Sequence, residues 1–257
     1  MRSFPATQGI GPAQSELIVV SVTQSTRANP LAELAKRLPV GARVLDVGCG
    51  NFQRIYRNLA RRRRDITVAG LEKYEDHSIY GPAPIYPPCK TDRFRRLTCD
   101  VERERFPFDD STFDGAFLSH VIEHVDESGH MLREICRTLK PGGLMYVETP
   151  GPKSLMRRPR WLPRAGDTIN FYDDPTHVGT PYTFDRLHVE LESAGFRVVA
   201  QAPFRQLGLA GAPIYLLMMA AGALPIFPTE ARVFAYGAGV RNLVGWAISV
   251  LAQKTLG

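Results

Sequence analysis

Apolar residues recur along this chain in two rhythms, short unbroken runs and longer stretches at helical spacing. From Leu31, LAELAKRL carries its leucines at helical spacing and meets Pro39 and Gly41, which predicts a short helix. RVLDV (43–47) is an apolar run between glycines and reads as a buried strand. A helix is expected from Asn51 to the arginines 61–64. The strand pattern then returns in ITVAGLE (66–72), RRLTCD (95–100) and FDGAFLS (113–119). MLREICRTL (131–139) predicts a helix stopped by Lys140-Pro141-Gly142-Gly143. GLMYVET (143–149) is a fifth strand, TFDRLHVELESAGF a helix capped near Thr183, FRVVAQA (196–202) a sixth strand and WAISVLAQK (246–254) a last strand at the sheet edge. Strands alternating with helices at this spacing predict an α/β fold, a mostly parallel sheet with helices on both faces.

Three stretches break the rhythm. Residues 75–93 and 151–182 resist regular assignment, and loops of that length in a compact domain usually serve function. Residues 207–228 carry no charge, which meets the length criterion for a membrane span. Pro213, Pro225 and Pro228 interrupt them, and a span there would strand the last β-segment on the wrong side. The expectation is an apolar helical insertion at 205–245 before the last strand, as two short helices. The alternative is a hairpin dipping into a membrane surface, giving peripheral contact through 207–228. Residues 1–28 are expected to be a weakly ordered leader to a single domain at 29–257.

VLDVGCGNF (44–52) runs a strand into a glycine turn that opens a helix. Glycines there let the backbone approach a ligand, and the helix start is expected to present N–H groups to an anionic moiety. Glu72 ends the second strand, where an acid accepts ribose hydroxyls, and Asp100 ends the third beside Val101. With FPFDDSTFDGAFLSHVIEHV (106–125), this ordered set resembles the class I S-adenosylmethionine (SAM)-dependent methyltransferases, in the branch that includes menaquinone and ubiquinone biosynthetic enzymes. The resemblance covers about residues 40–150, and SAGFRVV extends it. It implies a Rossmann-like seven-strand sheet and SAM as cofactor. It places Asp46, Gly48 and Gly50 at the methionine portion, Glu72 at the ribose and Asp100 at the adenine, with Cys49, Val101 and Ser119 completing the cofactor set. The turn lacks a third glycine, since Gln53 stands where a dinucleotide fold carries one.

In SHVIEHV, His120, Glu123 and His124 stand at i, i+3 and i+4, so on a helix they share a face. An imidazole there deprotonates an acceptor hydroxyl, or the groups supply part of a divalent-metal site. The segment is similar to the Glu-x-x-Glu-His helix of some sugar O-methyltransferases, of the ubiquinone-pathway and plant small-RNA families, which pair it with a later histidine. Here His120 replaces the first glutamate and His177 falls at the later position. The catalytic candidates are therefore His124, His177 and His120, and the metal candidates His120, Glu123, His124 and His177; lining of the cofactor pocket is the competing role. FYDDPTHVGTPYT (171–183) resembles an Asp-Pro-Thr-His segment in methyltransferases of bacterial surface-polysaccharide clusters. Phe171, Tyr172 and Tyr182 are candidates to stack on a sugar ring, and Asp173 and Asp174 to cap a stiff turn.

Net charge is +6 with a pI near 9.3, but the arginines cluster at 54–64 and 153–164. The first cluster suits a helix C-terminus and the second a phosphate or an anionic surface. Four cysteines without paired spacing fit reduced thiols in a cytoplasm. The reading is a SAM-dependent methyltransferase of the cytoplasm or the inner membrane face. Its expected acceptor is a hydroxyl of a glycan, a glycolipid precursor or another small molecule. An RNA methyltransferase and a catalytically inactive SAM-fold binding protein are the rivals, with nucleic acid the less favoured partner; the oligomeric state is left open.

Overall fold

The computed structural model describes residues 29–50, 59, 63–73, 92–163, 169–207 and 209–256. The leader at 1–28, residues 75–91 of the loop at 75–93 and nearly all of the helix expected from Asn51 lie outside the described residues.

Asn29 starts the first helix, α1 (Pro30–Arg37), by accepting from the N–H groups of Leu31 and Ala32, with Pro30 in the first turn. At its far end the Arg63 guanidinium donates to the carbonyls of Ala35, Leu38 and Pro39 at 2.6–3.0 Å. That fork satisfies groups a helix C-terminus leaves open. One of the four clustered arginines thus has a structural task.

The strands are β1 (Arg43–Val47), β2 (Thr67–Glu72), β3 (Phe94–Thr98), β4 (Phe113–Ser119), β5 (Leu139–Pro150), β6 (Phe196–Pro203) and β7 (Ala247–Lys254). They form one seven-stranded sheet in the order β3-β2-β1-β4-β5-β7-β6. β1 to β5 pair in parallel, and β7 runs antiparallel to both neighbours. On one face α1 packs Leu34 and Leu38 against Val44, Phe117, Tyr146 and Leu251. On the other, α2 (Ser128–Thr138) and α3 (Phe184–Ser193) pack Met131, Ile135 and Leu187 against Leu45, Leu118 and Val250. Cover on both faces explains why β1 reads as an unbroken apolar run. Thr183 caps α3, accepting from the Arg186 N–H.

Two details differ from expectation. β7 lies between β5 and β6 and not at the edge; its first six residues are all buried, whereas β6 alternates buried and more exposed positions, as an edge strand does. Lys140 to Gly143 do not simply stop α2, because β5 already begins at Leu139. The pairing with β4 jumps from Phe113–Leu139 to Gly115–Leu144, and Gly142, at φ +74°, absorbs the excess chain.

Between β6 and β7 the chain forms α4 (Ala212–Ala223) and α5 (Thr229–Val244). Among the described residues no helix is long and apolar enough to cross a membrane.

Candidate cofactor and acceptor site

The carboxyl ends of β1 to β4 gather Asp46, Glu72, Asp100 and Ser119 along one edge. Gly48 adopts φ +68°, and a Cβ there would collide with the Val121 side chain; both the backbone and the space demand glycine. The N–H groups of Gly48 and Cys49 both donate to the Leu71 carbonyl, at 2.9 and 3.0 Å. Gly50 donates to one Glu72 carboxylate oxygen at 2.8 Å, and Lys73 N–H to the other at 3.0 Å. From Gly48 to Gly50 the N–H groups tie the turn to β2, and Glu72 holds it in shape; the helix start expected to present free N–H groups, from Asn51, lies outside the described residues.

Cys49 packs over bare backbone, since a Cβ at Gly70 would lie 2.6 Å from its sulfur. Burial, with the Asp46 and Glu72 carboxylates adding, pushes its thiol well above the usual range, so it is an inert packing group. Asp100 pairs with the Lys73 ammonium at 3.0 Å. Burial works against its charge, but the Lys73 and Glu102 hydrogen bonds outweigh it and hold the carboxyl below the usual range. Val101 belongs to the core, and Ser119 is half-buried at the end of β4.

His120, Glu123 and His124 do not share a helix face. His120 ends the strand at φ +55°, and only Ile122–His124 form one 3-10 turn. The His120 ring bridges two buried carboxylates, Nδ1 to Glu123 at 3.0 Å and Nε2 to Glu148 at 3.1 Å. Tyr146 donates to Glu148 at 2.6 Å and Thr149 to Glu123 at 2.9 Å. Burial alone would lower the imidazole, yet the two glutamates prevail and push it up to about 9. With both nitrogens engaged and the ring charged, His120 lacks the lone pair a base or a metal ligand needs. It stands apart from the expected set.

His124 meets the loop at 169–178. Thr176 Oγ1 donates to Asp174 at 2.6 Å and lies 2.9 Å from His124 Nδ1. The hydroxyl proton is spent on Asp174, so Thr176 accepts from His124 Nδ1–H. This network assigns the lone pair to His124 Nε2. Burial again disfavours the Asp174 charge, and the two Thr176 hydrogen bonds outweigh it to keep the carboxyl low. His177 donates Nδ1–H to the Phe171 carbonyl at 2.6 Å and stacks on the Phe171 ring at 4.4 Å. Its ring centroid is 4.8 Å from that of His124. Ligand-capable atoms of Glu123, His124 and His177 lie within 4.8 Å of one another, so three of the four expected metal candidates converge.

Asp173 caps as expected, taking the N–H groups of Ile169 and Asn170. Phe171 and Tyr182 are buried and unavailable to stack on a sugar; Tyr172 is exposed. Glu148, Thr149, Thr176 and Gly70 were not singled out from the sequence. Glu148 alone leaves a signal there, the one charge in the apolar run 143–149.

Residues 24–201 match the model of a family described as a methyltransferase domain. The chain belongs to that family. Over 129 residues it is 28% identical to 27-O-demethylrifamycin SV methyltransferase of Amycolatopsis mediterranei, covering 48% of this chain and 46% of that protein. It is 27% identical over 158 residues to the O-methyltransferase resE of Aspergillus sclerotiorum, covering 57% of this chain and 55% of that one. The chain spans about half the length of the curated relatives it matches. A solved SAM-dependent methyltransferase from Archaeoglobus fulgidus superposes with a TM-score of 0.52 at 25% identity, over 89% of this chain and 96% of that one. The domain is thus a class I SAM-dependent methyltransferase domain.

The residues present suit that cofactor. Gly48 keeps the turn free of side-chain bulk, and each Glu72 oxygen that takes one backbone N–H retains acceptor capacity. Asp100, held as a carboxylate, has the chemistry to accept from an amine.

Proposed function

We propose that this methyltransferase methylates a hydroxyl oxygen of a glycan, a glycolipid precursor or another small molecule, with His124 as the base. The observation that carries this reading is the His124–Thr176–Asp174 chain, which leaves Nε2 as the proton acceptor beside the carboxyl edge of the sheet. A base oriented by a second group through its other nitrogen is the arrangement that activates weak nucleophiles.

Asp46, Gly48, Cys49, Gly50, Glu72, Asp100, Val101 and Ser119 are the groups proposed to hold SAM, which supplies an electrophilic methyl on a sulfonium. His124 Nε2 removes the acceptor proton as that oxygen gains its carbon bond, and the Thr176 contact steadies the imidazolium that results. His177, locked by Phe171, walls the acceptor side. The two curated relatives reported above are named as O-methylating enzymes, which supports oxygen as the atom.

A divalent ion held by Glu123, His124 and His177 is the second reading, favoured by the convergence of those groups. Both Glu123 oxygens already accept, from His120 and Thr149, so the base reading leads. The test is methyl transfer from labelled SAM into fractionated glycan, lipid and RNA pools, read by mass spectrometry. The expected product is a glycan or lipid heavier by one methylene, formed with EDTA present. His124→Ala is expected to cut turnover at least about tenfold, within the range of general-base catalysis, with SAM affinity unchanged. Full turnover in that variant overturns the base; loss of activity in EDTA transfers the role to a metal; product confined to RNA, with salt-sensitive RNA binding, overturns the acceptor class.

A further inference from the structure

We propose that the α4–α5 hairpin docks the protein on an anionic lipid bilayer, with the site-bearing edge of the sheet turned toward the headgroups. The proposal does not depend on the hydroxyl-acceptor reading.

From Gln206 to Thr229 the chain has no Asp, Glu, Lys or Arg, and α4 has no polar face. Pro213, Leu216, Leu217, Ala220 and Leu224 are exposed at one-face helical spacing. Leu217 is 70% exposed, and Ile226, in the turn between the helices, 76%. An ordinary surface helix turns charge to water on this side, and soluble monomers rarely leave so continuous an apolar patch uncovered. The other side of α4 is committed to α5. A Cβ on Gly239 would lie 2.5 Å from the Tyr215 carbonyl, and one on Gly222 2.6 Å from the Arg232 carbonyl. The two backbones therefore touch, and the hairpin presents its leucines as a stiff unit.

Charge complementarity selects the occupant. Residues 151–163 contain Lys153, Arg157, Arg158 and Arg160 and no acid, and they pack beside the hairpin: Leu162 and Ile169 meet Val233, and the Trp161 ring lies 5.1 Å from that of Tyr236. Arg158 is occupied by the Pro163 carbonyl and Asp173; Arg157 and Arg160 are exposed. In the hairpin the exposed Glu230 is the one acid. An apolar face, a half-exposed indole and a cationic rim match the layers of an anionic bilayer surface. A second copy on the same face would set one cationic rim against another.

The hairpin and the rim leave the same edge of the sheet. Pro150 of β5 pairs with Ala247, and Pro203 of β6 with Ile248. Trp246, at the root of β7, is 6.3 Å from His120, ring to ring. Docking would therefore bring the acceptor side against the surface.

Sedimentation of the full chain with phosphatidylcholine vesicles, with and without phosphatidylglycerol, tests this. The expected result is salt-sensitive binding to the anionic vesicles and little to the others. The double variant Leu217→Asp, Ile226→Asp should lose at least about tenfold in partition, from the apolar burial forfeited, while SAM affinity reports an intact fold. Arg157→Gln with Arg160→Gln should erode the anionic preference. The idea is overturned if the wild type stays in the supernatant with both vesicles, if the aspartate variant partitions as the wild type does, or if light scattering shows a dimer that the aspartates convert to monomer. Vesicle binding absent with SAM affinity intact would sink the docking and leave the enzyme reading standing.

Discussion

Glu72 does two things that a reading of spacing merges into one. Its place at the end of β2 suits ribose hydroxyls, and its carboxylate also clamps the N–H groups of Gly50 and Lys73. Replacing it removes the tether of the turn together with the oxygens proposed to meet the ribose. Glu72→Ala is therefore expected to weaken SAM binding by more than about tenfold, or about 1.4 kcal/mol. Glu72→Gln keeps one acceptor oxygen and should fall between. Calorimetry checks this, and unchanged affinity in both variants would remove Glu72 from the site. The places of Glu72 and the glycine turn at strand ends are legible in the sequence, but the Gly50 hydrogen bond that joins them is not. Nor is the contact of His124 with Thr176, 52 positions apart, since no local period relates a 3-10 turn to a distant loop.

The junction of β4 with β5 is held by charge. His120 spans Glu123 and Glu148 from the end of β4 to the neighbouring strand, and its own N–H donates to the Glu148 carbonyl. Its ordinary value is 6.5 and its folded one about 9. Because the folded value is the higher, the stabilisation is complete below pH 6.5 and is lost as pH rises through about 9. NMR titration should place the His120 midpoint near 9, and unfolding measured across that window should show the loss. His120→Gln removes the charge and leaves two buried glutamates undercompensated, a destabilisation of about 1–3 kcal/mol; a variant as stable as the wild type, with the same pH profile, would refute the clamp. Helical spacing placed these residues on one helix because i, i+3 and i+4 coincide with helix geometry. The left-handed backbone at His120 breaks the helix before it begins, and nothing in the residue type announced that.

For the whole molecule, the uncharged stretch before β7 is the part on which the proposed membrane docking turns. β7 pairs with β5 and β6 inside the sheet, and no described helix is long and apolar enough to cross a bilayer. The proposed contact through the hairpin would then be peripheral, and alkaline carbonate is expected to strip the chain from membranes. Retention in the carbonate-washed pellet would mean that the hairpin inserts and that β7 does not hold its place.

The sequence by itself determined the alternation of strands and helices, the glycine turn after β1, the acids at the ends of β2 and β3, and the caps at Asp173 and Thr183. Each depends on neighbours along the chain, where steric period and local hydrogen bonding dominate. Tertiary structure alone decided that β7 runs between β5 and β6, that His120 is a charged clamp between Glu123 and Glu148, and that Asp174 and Thr176 orient His124. Those outcomes depend on which buried charges find partners and which edge remains open to the last strand, and long-range packing settles both.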